Sequence, residues 1–275
     1  MRICVAHETM YRYETPCTGV IQTLRLTPRN HTGQYVVDWR IEISADCRLE
    51  PQEDAFGNLT NAFSANGPIS ELRLMVEGEV ETQDTAGVVR GAVERFPPSL
   101  FLRETALTHA DRALAAYAAE FEPVEGDTLD MLHRLLSRIH TDVAFDPEAA
   151  ADSGGAAAEA FAGRRGRSRD LSHIFIAVAR LRGVPARYVA GYFRRDDDAS
   201  GPDASHSWVE AHVDGLGWVG FDPTHEICVT DQHVRVAIGL DHLGAAPVRG
   251  SHYGGGREAL AVKLVVAQAA WQAQG

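Results

Sequence analysis

The stretch "SRDLSHIFIAVARLRGVPARYVAGYF", residues 168–193, decides the fold because it predicts a helix followed at once by a strand. One broad apolar stripe recurs at helical spacing and consists of Leu171, Ile174, Phe175, Val178 and Leu181. Ser168 stands at the predicted N-cap, Asp170 follows in the first turn, and Gly183 comes just after the end. The run "VPARYVAGYF" then has the composition of a strand. We expect a central helix packed on a sheet.

Strand patterns lie on both sides of this helix. Two follow it, in "SHSWVEAHV" and "GWVGFDPT", and two alternating runs precede it, in "YVVDWRIEIS" and "ELRLMVEGEVET". Helical spacing begins only at Ala106. The predicted class is α+β: an antiparallel β-sandwich over residues 1–100, then a domain over residues 101–275 with the central helix on an antiparallel sheet.

Composition narrows the classes of function. The 275 residues carry a formal net charge of −12 at pH 7, which disfavours a nucleic-acid partner because phosphates are neutralised by clustered Lys and Arg. No apolar stretch approaches the roughly 20 residues that span a bilayer, and the first residues lack the apolar core of a signal peptide. The expected location is the cytoplasm, with no membrane partner. The four cysteines show no CxxC spacing and are expected to be small buried residues.

The start of the central helix suggests a nucleophile site. Unpaired backbone N–H groups and the helix dipole favour negative charge there, and the same groups can stabilise an oxyanion in acyl transfer. His206 and Asp222 follow Ser168, each on a separate predicted strand. On adjacent antiparallel strands, His206 could take a proton from Ser168 while Asp222 fixes the tautomer of the imidazole. These three residues are the predicted catalytic set.

Four motifs, in this order, resemble the bacterial transglutaminase-like superfamily, whose members have a papain-like fold and a Cys-His-Asp triad. They are "GRSRDLSH", "GVPARYVAGY", "ASHSWVE" and "GWVGFDPT". The N-terminal "HETMYRYETPC" and "DAFGN" are similar to the β-rich domain of the bacterial subgroup, and "DQHVRVAIGLDHLGAAPVRG" resembles its tail. The resemblance implies that His206 is the base and Asp222 the orienting acid. Ser168 takes the position of the nucleophilic cysteine, and Arg167 stands where a small apolar residue is usual.

Three interpretations of Ser168 stay open. Its hydroxyl could cap the helix, since serine is among the best N-cap residues. It could be a replacement, natural or introduced, that silences an otherwise competent site. It could also be the nucleophile of a serine triad, although a papain-like site suits a thiolate–imidazolium pair and a hydroxyl stays protonated until attack.

Three further residues are predicted to contact substrate: Tyr192 and Arg187 on the strand after the helix, and Trp208 beside His206. Each could equally be a core residue. Several of the 12 histidines lie late in the chain, among them His225 and His233. Because the sequence has neither HExxH nor a short-spaced His/Asp cluster, it predicts no metal and no cofactor.

The leading functional hypothesis is an acyl-transfer protein that hydrolyses amide or peptide bonds, with a peptide or another amide as its substrate. The rival is a noncatalytic module that keeps the cleft and the His206–Asp222 pair and uses them to hold a peptide. A structural role in a larger assembly, through the β-rich domain, is a third hypothesis.

Overall fold

The computed structural model describes residues 1–122, 127–149, 155–195 and 206–269. The described strands are β1 (Arg2–Thr27), β2 (Gln34–Ile43), β3 (Glu50–Glu53), β4 (Leu59–Thr82), β5 (Val88–Val89), β6 (Ala144–Phe145), β7 (Arg165–Gly166), β8 (Ala186–Phe193), β9 (His206–Val213), β10 (Gly217–Asp222), β11 (Ile227–Cys228), β12 (His233–Gly239), β13 (Val248–Gly254) and β14 (Glu258–Gln268). The described α-helices are α1 (Arg112–Ala118), α2 (Thr128–Asp142), α3 (Ala157–Gly163), α4 (Ser168–Leu181) and α5 (His242–Ala245). No helix within these ranges is long and apolar enough to cross a bilayer. The predicted α+β class is confirmed.

The N-terminal β-structure is one antiparallel sheet built around β1 and β4. These two long strands pair with each other, from Arg2 opposite Glu81 to Thr27 opposite Leu59, while β2 and β3 extend the sheet beyond β4. Side chains alternate between buried and exposed along β1, as expected of a strand with one covered face. The buried cluster on that face includes Tyr11, Val20, Leu24, Phe63, Leu72 and Leu74.

The last two strands complete this first sheet rather than the second. β13 pairs with β1 between Cys17 and Leu24, and β14 pairs with β1 between Ile3 and Tyr13. The predicted division into residues 1–100 and 101–275 is therefore corrected at its C-terminal end, since residues 248–268 belong to the N-terminal sheet. Apolar alternation identifies a strand but not the strand it pairs with. A division of the chain by sequence order therefore assigned β13 and β14 to the wrong sheet.

The second sheet packs against α4 and has the strand order β11-β10-β9-β8-β12, with the short β5 on β10. Buried residues of α4 include Leu171, Ile174, Phe175 and Val178 of the predicted stripe, and also Ile176, Ala177 and Ala179. Leu181, the last residue of that stripe, is exposed. The sheet covers one side of α4 while α1, α2 and α3 pack on others. α4 is thus a core helix instead of an amphipathic surface helix.

Two amide side chains from the N-terminal sheet satisfy the outer edge of β12. Asn58 accepts from the Ile238 N–H and donates to the Ile238 carbonyl, both at 2.8 Å. Gln34 makes the same two bonds to the backbone of Arg235. Its side chain accepts from the Arg235 N–H at 2.7 Å and donates to the Arg235 carbonyl at 2.9 Å. Both amides are buried. They replace a strand partner at an edge whose backbone groups would otherwise lack hydrogen bonds.

We expect Asn58→Ala to destabilise the fold by about 1–3 kcal/mol, because it leaves the buried N–H and carbonyl of Ile238 without partners. Equilibrium urea unfolding measures the change in the free energy of unfolding. The matched control is Asn66→Ala, at an exposed position of β4, which should stay within about 0.5 kcal/mol of wild type. Equal destabilisation by the two substitutions would contradict the role of Asn58 at the edge.

Candidate active site

Ser168 is the first residue of α4 rather than its N-cap. The N-cap is Arg167, whose backbone N–H donates to Asp170 Oδ2 at 2.9 Å. The Asp170 carboxylate at the third helical position closes the start of the helix, as in a capping box. The prediction that Ser168 caps the helix was wrong by one position, and its hydroxyl makes a different contact.

The Ser168 hydroxyl joins the start of α4 to the start of β9. Ser207 Oγ donates to Ser168 Oγ at 3.2 Å, and both residues are almost fully buried. Ser207 directly follows His206, the first residue of β9; residues 204 and 205 of the "ASHSWVE" motif lie outside the described residues. In the described part of the chain Ser168 and His206 share no direct hydrogen bond. Such bonds are often long until substrate binds, and contact between these two side chains stays a prediction.

His206 and Asp222 are joined directly. His206 Nε2 lies 2.7 Å from Asp222 Oδ2, where the carboxylate is fully buried and the imidazole is 11% exposed. Because a carboxylate only accepts, the proton lies on Nε2, and the neutral ring presents a lone pair on Nδ1. Trp208 stacks on the His206 ring with the centroids 6.1 Å apart. The structure thus leaves Nδ1 of His206 as the ring nitrogen with a free lone pair.

Two histidines outside the predicted catalytic set share the same carboxylate. His225 Nδ1 lies 2.8 Å from Asp222 Oδ2, and His233 Nε2 lies 3.2 Å from it. The Thr230 backbone N–H donates to His233 Nδ1 at 3.2 Å, so the His233 proton lies on Nε2. The spacing of three residues between Asp222 and His225 was a visible signal in the sequence. No sequence pattern indicated the contact of His233 with Asp222, because His233 belongs to β12, which does not neighbour β10 in the sheet.

The Asp222 carboxylate stays ionised in this buried position. Burial by itself raises its pKa, but attraction to His206 when that ring is protonated, together with the hydrogen bonds from the three imidazoles, outweighs burial and holds the pKa of Asp222 well below its usual range. Burial lowers the pKa of His233, which keeps that ring neutral. An ionised carboxylate beside His206 stabilises the imidazolium that forms when His206 takes a proton.

The three residues predicted to contact substrate all lie in the core. Arg187 is fully buried and pairs with the equally buried Glu210 at 2.6 Å. Tyr192 is 2% exposed, and its hydroxyl lies 3.1 Å from Nδ1 of His7 in the N-terminal sheet. Trp208 is 1% exposed. The structure brings none of these three side chains to the surface, and their contact with substrate stays a prediction.

Two family models match the chain. Residues 3–81 match the bacterial transglutaminase-like N-terminal region, and residues 115–223 match the transglutaminase-like superfamily. The second match contains Ser168, His206 and Asp222.

Similar proteins match this chain over nearly its whole length. The uncharacterised protein ML0607 of Mycobacterium leprae is 29% identical over 98% of this chain and 99% of its own. The uncharacterised protein Rv2569c of Mycobacterium tuberculosis is 29% identical over 92% of this chain and 88% of its own. A solved structure, that of a candidate cysteine protease from Cytophaga hutchinsonii, has the same fold with a TM-score of 0.77 at 18% identity, covering 99% of this chain and 92% of that one. The chain therefore belongs to the transglutaminase-like superfamily, with a bacterial transglutaminase-like N-terminal region ahead of its core.

Proposed function

We propose that the protein is an acyl-transfer hydrolase that cleaves amide or peptide bonds, with Ser168 as nucleophile, His206 as general base and Asp222 as the residue that orients His206. The observation that carries the proposal is the 2.7 Å bond between His206 Nε2 and Asp222 Oδ2. It leaves Nδ1 of His206 as the basic nitrogen. The residue after His206, Ser207, donates to Ser168 at the start of α4. Peptides or other amides are the proposed substrates.

The first half of the reaction transfers the acyl group to Ser168. Its Oγ bonds to the substrate carbonyl carbon while its proton passes to His206 Nδ1. Ser207 stabilises the negative charge that develops on Ser168 Oγ, because its hydroxyl already donates to that oxygen. Backbone N–H groups at the start of α4 can stabilise the oxyanion formed from the carbonyl oxygen. His206 then gives its proton to the leaving amine as the C–N bond breaks, and an ester on Ser168 remains.

The second half releases the acyl group to water. His206 Nδ1 takes a proton from water while the water oxygen bonds to the ester carbonyl carbon. The bond to Ser168 breaks, Oγ recovers a proton from His206, and the carboxylic acid leaves. The ionised Asp222 stabilises the imidazolium in both halves.

A noncatalytic peptide-binding module is the second candidate. The observation that favours it is the hydroxyl at Ser168, since a hydroxyl, unlike a thiolate, must lose its proton during attack. Such a module would keep the His206–Asp222 pair and form no covalent bond. The two candidates differ in one measurable event, the acylation of Ser168.

A cytoplasmic location is part of the proposal. Cys4, Cys17, Cys47 and Cys228 are all free thiols, as is usual in a reducing compartment. Fractionation of cells that produce the protein tests this location, and recovery with periplasmic or extracellular proteins would contradict it.

An electrophilic probe, such as an activated ester that acylates serine or a fluorophosphonate that phosphonylates it, should label the wild-type protein at Ser168. His206→Ala should slow labelling by at least about 10²-fold, because a positioned general base contributes about 10²–10⁴-fold. Peptide mass spectrometry locates the adduct.

Two controls make the labelling specific. Ser168→Ala should abolish it, and Ser137→Ala on α2 should leave it at the wild-type rate. Absence of labelling, or equal labelling of wild type and Ser168→Ala, would favour the peptide-binding module.

Ser168→Cys should create a thiol with a depressed pKa, because the helix N-terminus and the imidazolium of His206 both favour a thiolate. Iodoacetamide should then alkylate it faster than the native cysteines at about pH 6, where ordinary thiols are protonated. Burial raises the pKa of Cys4, Cys47 and Cys228, and Cys17 is fully buried. The rate of carbamidomethylation at each site is measured by mass spectrometry.

The control is the double variant Ser168→Cys with His206→Ala, which should lose most of this reactivity. If the introduced thiol reacts no faster than a free thiol, the start of α4 is not arranged to activate a nucleophile.

Asp222→Asn should lower hydrolysis by about 10³–10⁴-fold, because an amide favours the wrong tautomer of His206. The pKa of Asp222 is lowered in the folded state, so its ionised form contributes stability above the unfolded pKa of about 3.9, and that stability is lost as the pH falls below it. The stability difference between wild type and Asp222→Asn should therefore be largest near neutral pH and shrink below about pH 4. Urea unfolding across this range measures it, and a difference independent of pH would argue against an ionised Asp222.

A further inference from the structure

Three potential metal ligands meet at the end of β10. One ligand atom from each of His206, Asp222 and His225 lies within 4.8 Å of the other two. The nitrogens nearest the Asp222 carboxylate are His206 Nε2 and His225 Nδ1. We propose that these three side chains bind a divalent transition-metal cation of the zinc class, and that the bound cation holds the site in an inactive form. Ser168 is not a ligand, so the binding itself is independent of the proposed hydrolase function, and only the inactivation rests on that function.

The donor set and its spacing suit zinc. Imidazole nitrogen and carboxylate oxygen are ordinary zinc ligands at about 2.0–2.2 Å, which places neighbouring ligand atoms of a tetrahedral site about 3.4 Å apart. The imidazole nitrogens of His206 and His225 now lie 2.7 and 2.8 Å from Asp222 Oδ2, as hydrogen-bond donors. Each nitrogen-to-oxygen separation must therefore lengthen by about 0.6–0.7 Å to make room for the cation.

The charge of Asp222 also favours a cation. Its described ion-pair partners are the imidazoles of His206, His225 and His233, and the Thr224 backbone N–H supplies a further bond at 3.0 Å. Within the described ranges no Arg or Lys pairs with this fully buried carboxylate. A buried charge is costly without compensation. A divalent ion would supply the permanent positive charge that the imidazoles lack when neutral.

Neighbouring side chains hold the ligands in place. His233 receives the Thr230 N–H on Nδ1, so its Nε2–H can only donate to Asp222. Hydrogen-bond partners of this kind orient metal-binding carboxylates and strengthen metal binding. Phe193 packs on the ring of His225, with the centroids 4.3 Å apart. His225 is 32% exposed, which leaves solvent access to a fourth coordination position.

Metal binding and general-base catalysis exclude each other at His206. A metal on Nε2 needs the lone pair of that nitrogen, so the single ring proton moves to Nδ1. Nδ1 is the nitrogen that would accept the proton of Ser168, and it cannot do so once it carries one. The cation also occupies the carboxylate that orients the ring.

Cobalt(II) titration of the full chain, after treatment with a chelator and its removal, tests the site. Wild type should bind one Co²⁺ per chain with the strong visible absorption of a four- or five-coordinate site, and Zn²⁺ should displace it. His225→Gln should weaken Co²⁺ binding by at least about tenfold. The matched control is His109→Gln, an exposed histidine paired with Glu104, which should bind Co²⁺ as wild type does.

Asp222→Asn is the second test, since a carboxamide is a poorer zinc ligand than a carboxylate. This variant should also bind Co²⁺ at least about tenfold more weakly than wild type. Melting curves of the metal-free variants establish that each is folded. Only weak, octahedral-type cobalt absorption in wild type, or wild-type affinity in folded His225→Gln, would overturn the proposal. Failure of the electrophilic probe to label Ser168 would leave the cobalt result unchanged, so the two proposals fail separately.

Discussion

The carboxylate of Asp222 is fully buried and ionised, and the second sheet is arranged to accommodate that charge. An isolated buried carboxylate is strongly unfavourable, so its oxygens must be hydrogen-bonded. His206 donates from the start of β9, His225 from the turn after β10 and His233 from the start of β12. These segments must therefore stay in register with one another for the charge to be tolerated. The orientation of His206 follows from this requirement and does not depend on which residue stands at position 168.

The N-terminal sheet takes part in holding this carboxylate, because it supports β12. Gln34 pairs with the backbone of Arg235, two residues beyond His233, and Asn58 pairs with Ile238 further along the same strand. The Arg235 side chain also reaches Glu210 at 2.6 Å. Displacing the N-terminal sheet would free the edge of β12 and with it the hydrogen bond from His233 to Asp222. The β-rich region is therefore a structural support of the candidate site.

The features that could be predicted from the sequence are those that depend on residues close together in the chain. The stripe of α4 and the short strands that carry His206 and Asp222 are visible in a single window of residues. Pairing between distant segments could not be predicted, and this accounts for the return of β13 and β14 to β1 and for His233 on Asp222. Arg187 shows the same limit, because a charged strand residue is usually exposed. Its burial follows from Glu210, which lies opposite it in register on β9.

The hydrogen bond from Ser207 to Ser168 suggests how a serine oxygen could act as a nucleophile in a site that resembles a thiol site. A thiolate–imidazolium pair is ionised before substrate binds, whereas a serine oxygen becomes negative only during attack. A donor already directed at that oxygen stabilises the charge as it develops. Ser207 is such a donor, and it lies on the same strand as the proposed base, one residue after His206. Because the Ser207 proton is directed at Ser168 Oγ, the proton of Ser168 itself is free to be donated elsewhere, which is what transfer to Nδ1 of His206 requires.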